Sequence, residues 1–294
     1  VGAQDEHLVC TGFFMFSTGS PRVRSLLRDW EAAISHGKVV NQYVFNEKLQ
    51  AYRDLRVSRL PHSLFPSGKK FFHQSQHKDS ALVVHANYFQ GQDAKRGKLK
   101  EAGLWQDANV AAAVSAPIAK LASATSTDGH PAQYHADTSP AVAAPITIIS
   151  FTNFGMLDFA LNWLHHLRAA IGAPQLAASL LMYVVGEDAR AALLASGLLP
   201  EGCIRDGTLG GGLDAGHATA GFKYESPGFK KLAAQRPRIV LAAIEERSSV
   251  SAAVLYSDVD AVWRSNPLPT LTSLLPQYDV VGAQDEHLVC TGFF

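Results

Sequence analysis

Two aspartates one residue apart, Asp258 and Asp260, close the apolar run VLYSDVDAV, and the chain then breaks at Pro267. In an extended backbone, residues i and i+2 face the same side, so both carboxylates can turn toward one divalent cation. Without a cation the pair would repel, and one member would have to take up a proton or find a positive partner. D-x-D is short, and as a chance pattern it reads as a pair of solvated turn residues. Its place at the carboxyl end of an apolar strand is, however, where ligands collect in open α/β sheets. The spacing therefore predicts a metal site at the end of a buried strand.

The elements that must position such a site follow from hydrophobic periodicity. APITIISF (144–151), SLLMYVVG, SAAVLYSDVD, QYDVVGAQD and LVCTGFFMFS read as strands. Between them stand helical stretches. MLDFALNWLHHLRAAIG carries Leu157, Leu161, Leu164 and Leu167 on one face, and SPRVRSLLRDWEAAIS has Ser20 as its N-cap and Pro21 at its first position. EDARAALLASG, NQYVFNEKLQAY and the basic KRGKLKEAGLW also read as helices, and SPGFKKLAAQRPRIVLAAIEERS as a helical region bent at Pro237. SALVVHANY is a strand that runs into a loop. This alternation predicts an α/β fold, a mostly parallel sheet of Rossmann type with helices on both faces.

Composition narrows the possibilities. Lys+Arg and Asp+Glu both number 26, so the formal net charge is zero and no broad field favours nucleic acid or an anionic membrane. No apolar stretch is long enough to cross a bilayer, and no signal peptide is apparent, so no membrane contact is expected from this segment. Both termini read as cut ends of a longer chain. The three cysteines form no zinc or disulfide framework. Cys10 and Cys290 are copies of one position, and with Cys203 they read as buried thiols, with one Cys203 bridge as the alternative.

The first fourteen residues, VGAQDEHLVCTGFF, return unchanged as residues 281–294. Residues 107–143, rich in Ala, Ser, Thr and Pro, read as a linker. The remaining unit of roughly 240 residues suits one α/β domain. Residues 144–294 then read as the first half of a domain and 1–106 as the second half of the preceding copy. The two would come together as a circular permutation, with one copy of the repeated strand in the central slot. Each half alone would expose a raw sheet edge.

The chain resembles the plant and algal nucleotide-diphospho-sugar transferases, GT-A glycosyltransferases that include cell-wall arabinosyl- and xylosyltransferases. LYSDVDAVWRSNPLP looks like that family's metal motif, and FTNFGMLDFALNWLHHL like its opening strand and helix. TGFFMFSTGSPRVRSLLRDWEAAI, NQYVFNEKL, LPHSLFPSGKKFF and VVHANYFQGQDAKRGKLKEAGLW are similar to its later stretches, with the halves in swapped order.

What the resemblance implies is specific. Asp258 and Asp260 would hold Mn²⁺ or Mg²⁺ against the diphosphate of a UDP-sugar, with Ser257 beside them and His85 completing the ligand set; without the resemblance, His85 reads as a hydrogen-bonded histidine at a strand end. Gly91 and Lys95, in a loop after His85, would cover phosphate oxygens, and Thr152 and Asn153 would contact the uracil or ribose. Arg238 would reach the donor phosphate or sugar. A polar residue beneath the sugar would stabilise an oxocarbenium-like centre, the candidates being Asp285 (or Asp5), Gln284 (or Gln4) and Gln42. The implied reaction is sugar transfer from a nucleotide-sugar donor to a glycan or glycoprotein acceptor, with retention, in the Golgi lumen. Two departures bear on turnover. Asn41 stands where the family usually has Asp before the glutamine, and Cys10 where Asn is common before TGF. Two other readings stay open, a non-catalytic sugar-nucleotide or glycan-binding module of a tandem array, and a haloacid-dehalogenase-type phosphatase. The phosphatase would need a downstream Lys and a further acidic pair, and only Asp279, Asp285 and Glu286 follow Asp260.

Overall fold

The computed structural model describes residues 8–34, 41–107, 145–209, 213–221 and 226–285. In chain order it holds β1 (Leu8–Ser17), α1 (Pro21–Ile34), α2 (Asn41–Ala51), β2 (Val57–Leu60), β3 (Val83–His85), α3 (Gln92–Glu101), β4 (Ile146–Asn153), α4 (Leu157–Ile171) and α5 (Ala173–Ser179). There follow β5 (Leu180–Val185), α6 (Glu187–Ala195), β6 (Ile204–Asp206), α7 (Ala215–Thr219), α8 (Pro227–Ala233), α9 (Gln235–Arg247), β7 (Ala253–Ser257), β8 (Ala261–Trp263), α10 (Leu268–Leu274) and β9 (Val280–Asp285). The linker read over 107–143 lies outside the described residues except for Asp107, as do Gln4, Asp5 and Cys290.

Seven strands form one sheet in the order β2-β9-β1-β7-β4-β5-β6. Every neighbouring pair is parallel except the two that involve β1, which runs against β7 and β9. Strands from both sides of the linker thus share a single sheet. The carboxyl ends of β4, β5, β7 and β9 meet the amino-terminal half of β1 on one edge, where an open α/β sheet places its ligands. The expected α/β architecture with a mostly parallel sheet, GT-A-like, is the one observed.

Neither copy of the repeated segment fills the central slot alone. Residues 8–14 of the first copy lie in β1 and residues 281–285 of the second in β9, with Leu8 opposite Asp285. Each part is covalently tied to its own flanking helix, α1 after β1 and α10 before β9, and both strands are present side by side in the sheet. The ladder between them slips between Val9 and Phe14, a bulge that turns residues 10–12 out of regular pairing.

Local sequence explains the flanking helices. The Ser20 hydroxyl accepts a hydrogen bond from the Val23 amide, and Val23, Leu26, Leu27, Trp30 and Ile34 bury the face at helical spacing. Phe14 of β1 lies stacked against Tyr256 at 5.2 Å and Phe45 at 5.8 Å, which locks β1, β7 and α2 into one aromatic core. The expected bend at Pro237 falls instead at Ala234, between α8 and α9. Pro237 sits in the first turn of α9, where its missing N–H costs nothing.

Candidate active site

The two aspartates stand where β7 ends, and a second, small sheet brings the histidine to them. β3 and β8 pair antiparallel with His85 opposite Ala261, and Ala86 donates its amide to the Asp260 carbonyl. Because β8 starts one residue after Asp260 and β3 ends on His85, the ribbon delivers the imidazole to the acidic pair. His85 Nε2 lies 3.1 Å from Asp260 Oδ1 and 3.6 Å from Asp258 Oδ2. One ligand atom from each of the three residues falls within 4.8 Å of the others, and all three side chains are buried.

Glycine makes this approach possible. A Cβ built on Gly12 of β1 would stand 2.1 Å from His85 Cε1 and 2.4 Å from Asp258 Oδ2, so any side chain there would displace both. Backbone contact holds the strand in place, with Asp258 donating its amide to the Gly12 carbonyl at 2.7 Å.

Two buried cations neutralise the pair. Lys95 Nζ donates to Asp260 Oδ2 at 2.7 Å, and neither side chain is exposed. Arg236 Nη2 donates to Asp258 Oδ1 at 2.9 Å and Nη1 to Thr11 Oγ1 at 3.0 Å, with the guanidinium 5.0 Å over the Tyr256 ring. Burial works against ionisation of Asp260, but Lys95 and His85 outweigh it and hold its carboxyl down at about 2. At Asp258 burial prevails over Arg236 and pushes the carboxyl up. The two carboxylates are therefore unequal.

The group fits a divalent cation. Asp258 Oδ2 is buried without a hydrogen-bond partner among the described residues, which is costly for a carboxylate oxygen unless a cation or water meets it. Two carboxylates and one imidazole are the mixed O/N donor set that a borderline ion such as Mn²⁺ accepts, and Mg²⁺ takes the oxygens.

Other sequence candidates fall in different places. Lys95 is in α3 rather than a loop, and its ammonium faces Asp260; Gly91 caps that helix at φ +81°, with no atom close to where a side chain would start. Asp285 and Gln42 come together, for Gln42 Nε2 and Asn87 Nδ2 donate to Asp285 Oδ2 at 3.3 and 3.1 Å, and Gln42 Oε1 accepts from the Thr11 amide. Gln284, on the opposite face of β9, donates to the Leu60 carbonyl instead. The Ser257 hydroxyl accepts from both Trp163 and Trp263 and supports the floor beneath the aspartates. Asn153 donates to the His217 and Ala220 carbonyls and accepts from the Met156 amide, while Thr152 bonds the Asn153 carbonyl. Asn153 thus holds the segment 217–220 over the end of β4.

Arg238 points away and pairs with Glu31 of α1 at 2.9 Å. Arg236, which the sequence reading passed over, takes the inward place. Two residues apart on a helix means roughly 200° around it, so only one of the two can face β7. Asp279 lies at the amino end of β9, paired with Arg56, on the edge of the sheet opposite the aspartate pair, and so supplies none of the acidic partners a phosphatase would need there.

The sequence profile of a family described as nucleotide-diphospho-sugar transferase matches residues 2–99 and 182–292. The match takes in the aspartates, His85, Lys95, Arg236 and Gly12 and leaves out β4 and α4, which the resemblance read from the sequence had included. Neither curated proteins nor solved structures return a match.

Proposed function

The chain belongs to the nucleotide-diphospho-sugar transferase family, a glycosyltransferase family, and we propose that it moves a pentose such as arabinose or xylose, or galactose, from UDP to a hydroxyl of a glycan or glycoprotein with retention. The observation that carries this is the meeting of His85, Asp258 and Asp260 around a buried carboxylate oxygen that accepts no hydrogen bond among the described residues. Those three residues would hold Mn²⁺ or Mg²⁺, which when bound supplies charge neutralisation to the diphosphate oxygens. Lys95 and Arg236, now held by the aspartates, are the two cations nearest to receive the dianionic leaving group. Asp285, held by Gln42 and Asn87, is the carboxylate assigned to stabilise positive charge developing at the sugar. We read the compartment as the Golgi lumen and the two chain halves as one circularly permuted domain; the first rests on the resemblance, and the second is supported by the shared sheet.

A panel of UDP-sugars, assayed for UDP release with Mn²⁺ and again with EDTA, tests the reading. One donor should be hydrolysed slowly even without acceptor, EDTA should stop the release, and Asp258→Asn and His85→Ala should each lower it by about 100-fold or more. Release from no donor, or release indifferent to EDTA, overturns it. A protein that binds UDP yet never releases it from a sugar is a binding module.

A further inference from the structure

The imidazole of His85 has two ring nitrogens, and only one of them faces the aspartates. Nδ1 points the other way, to Cys10 Sγ at 3.5 Å, within hydrogen-bonding reach for sulfur. The bulge in β1 creates this contact. Where the β1–β9 ladder slips, Cys10 and Gly12 both turn toward the ring, the glycine beneath Cε1 and the sulfur at Nδ1. Asn87 Nδ2 approaches the same sulfur at 3.9 Å. Cys10 is 1% exposed, so the contact is shielded from bulk solvent.

A neutral imidazole carries one proton, on either nitrogen. With the proton on Nε2, the ring donates to Asp260 and has no lone pair to offer a cation. With it on Nδ1, the ring donates to sulfur and presents its Nε2 lone pair between the two carboxylates. A sulfur lone pair accepts the Nδ1–H of the second form, whereas an aliphatic side chain leaves that N–H without an acceptor.

We propose that Cys10 is a positioning residue for His85: its sulfur accepts the Nδ1–H hydrogen bond and so turns the Nε2 lone pair toward the cation site. The inference rests on the metal reading above but concerns the ring rather than the transfer reaction.

The test is Mn²⁺ binding by the whole chain, followed by the electron-spin-resonance signal of free Mn²⁺, with no donor present. Cys10→Ala should bind about 10- to 100-fold more weakly, and Cys10→Ser, which keeps a hydrogen-bonding atom, should lose about threefold or less. Cys290→Ala, which alters the other copy of the same position, should bind like wild type. In Mg²⁺-loaded protein the ring ¹⁵N shifts of His85, assigned by its loss in His85→Ala, should show the proton on Nδ1, and Cys10→Ala should shift the population toward Nε2. Folding of each variant is checked by its urea midpoint, and if Cys10→Ala does not fold, Cys10→Val takes its place. Equal affinity in wild type and a folded Cys10→Ala, or a weaker Cys290→Ala, overturns the inference while leaving the metal reading intact. Wild type that binds no Mn²⁺ overturns both.

Discussion

At the scale of single residues, the site is a balance of opposite charges sealed from water. Lys95 and Asp260 are fully buried, so neither is stable without the other. Removing Asp260 strands an ammonium in the interior, and Asp260→Ala should cost about 3–5 kcal/mol of stability by urea denaturation. Pairing Lys95→Met with Asp260→Leu should recover most of that loss, because no uncompensated charge remains, while donor hydrolysis stays abolished. A double variant no more stable than Asp260→Ala would show that the pair is not the source of the cost. The acidic pair is legible in the sequence because an apolar run ending on D-x-D places it at a strand's carboxyl end. Arg236 is not legible. It shares a helix turn with Arg238, and only the packing of α9 on β7 decides which of them turns inward. Gly12 is equally hidden, since its role is to lack the atom that would strike His85.

At the scale of elements, the long apolar strands and the Leu- and Val-faced helices are readable from their periods, but the short ones are not. β2, β6 and β8 span four, three and three residues, too few for any alternation to register. Yet β8 aligns His85, and β2 extends the sheet past β9. The edge between β2 and β9 is clasped by Arg56, which donates from its backbone amide and from Nε and Nη2 to Asp279. Hydrogen bonding to Arg56 outweighs the effect of burial on Asp279 and lowers its pKa below the ordinary 3.8. A depressed carboxylate stabilises the fold above its unfolded value, and that contribution disappears as pH falls through the lower folded value. Asp279→Asn should therefore reduce the thermal midpoint at neutral pH and converge on wild type in acid, once the pH has fallen through the depressed folded value of Asp279. Parallel curves at every pH would refute the clasp.

At the scale of the whole molecule, the α/β class follows from alternating elements, whereas strand order does not, because the neighbours in the sheet are far apart in the chain. Phe13 pairs with Ser257, and Leu8 with Asp285. Asp285 is followed in the sequence by Glu286 and His287, and Leu8 is preceded by the same dipeptide, so a two-residue connection would join β9 directly to β1. A chain reordered as 144–287 followed by 8–106 should fold, bind Mn²⁺ with the affinity of the present one, and unfold at no lower urea concentration. Loss of cation binding in a folded product would mean that the halves depend on their present order.

The reversed strand has one more consequence, which concerns synthesis. Leu8–Ser17 is wedged between β7 and β9, which leave the ribosome about 240 and about 265 residues after it. At roughly 5–20 residues per second, the apolar segment LVCTGFFMF waits on the order of ten to fifty seconds with no strand to pair with. Through that interval it is bait for chaperones and for other nascent chains, and the yield of active protein depends on how well it is shielded until its neighbours arrive.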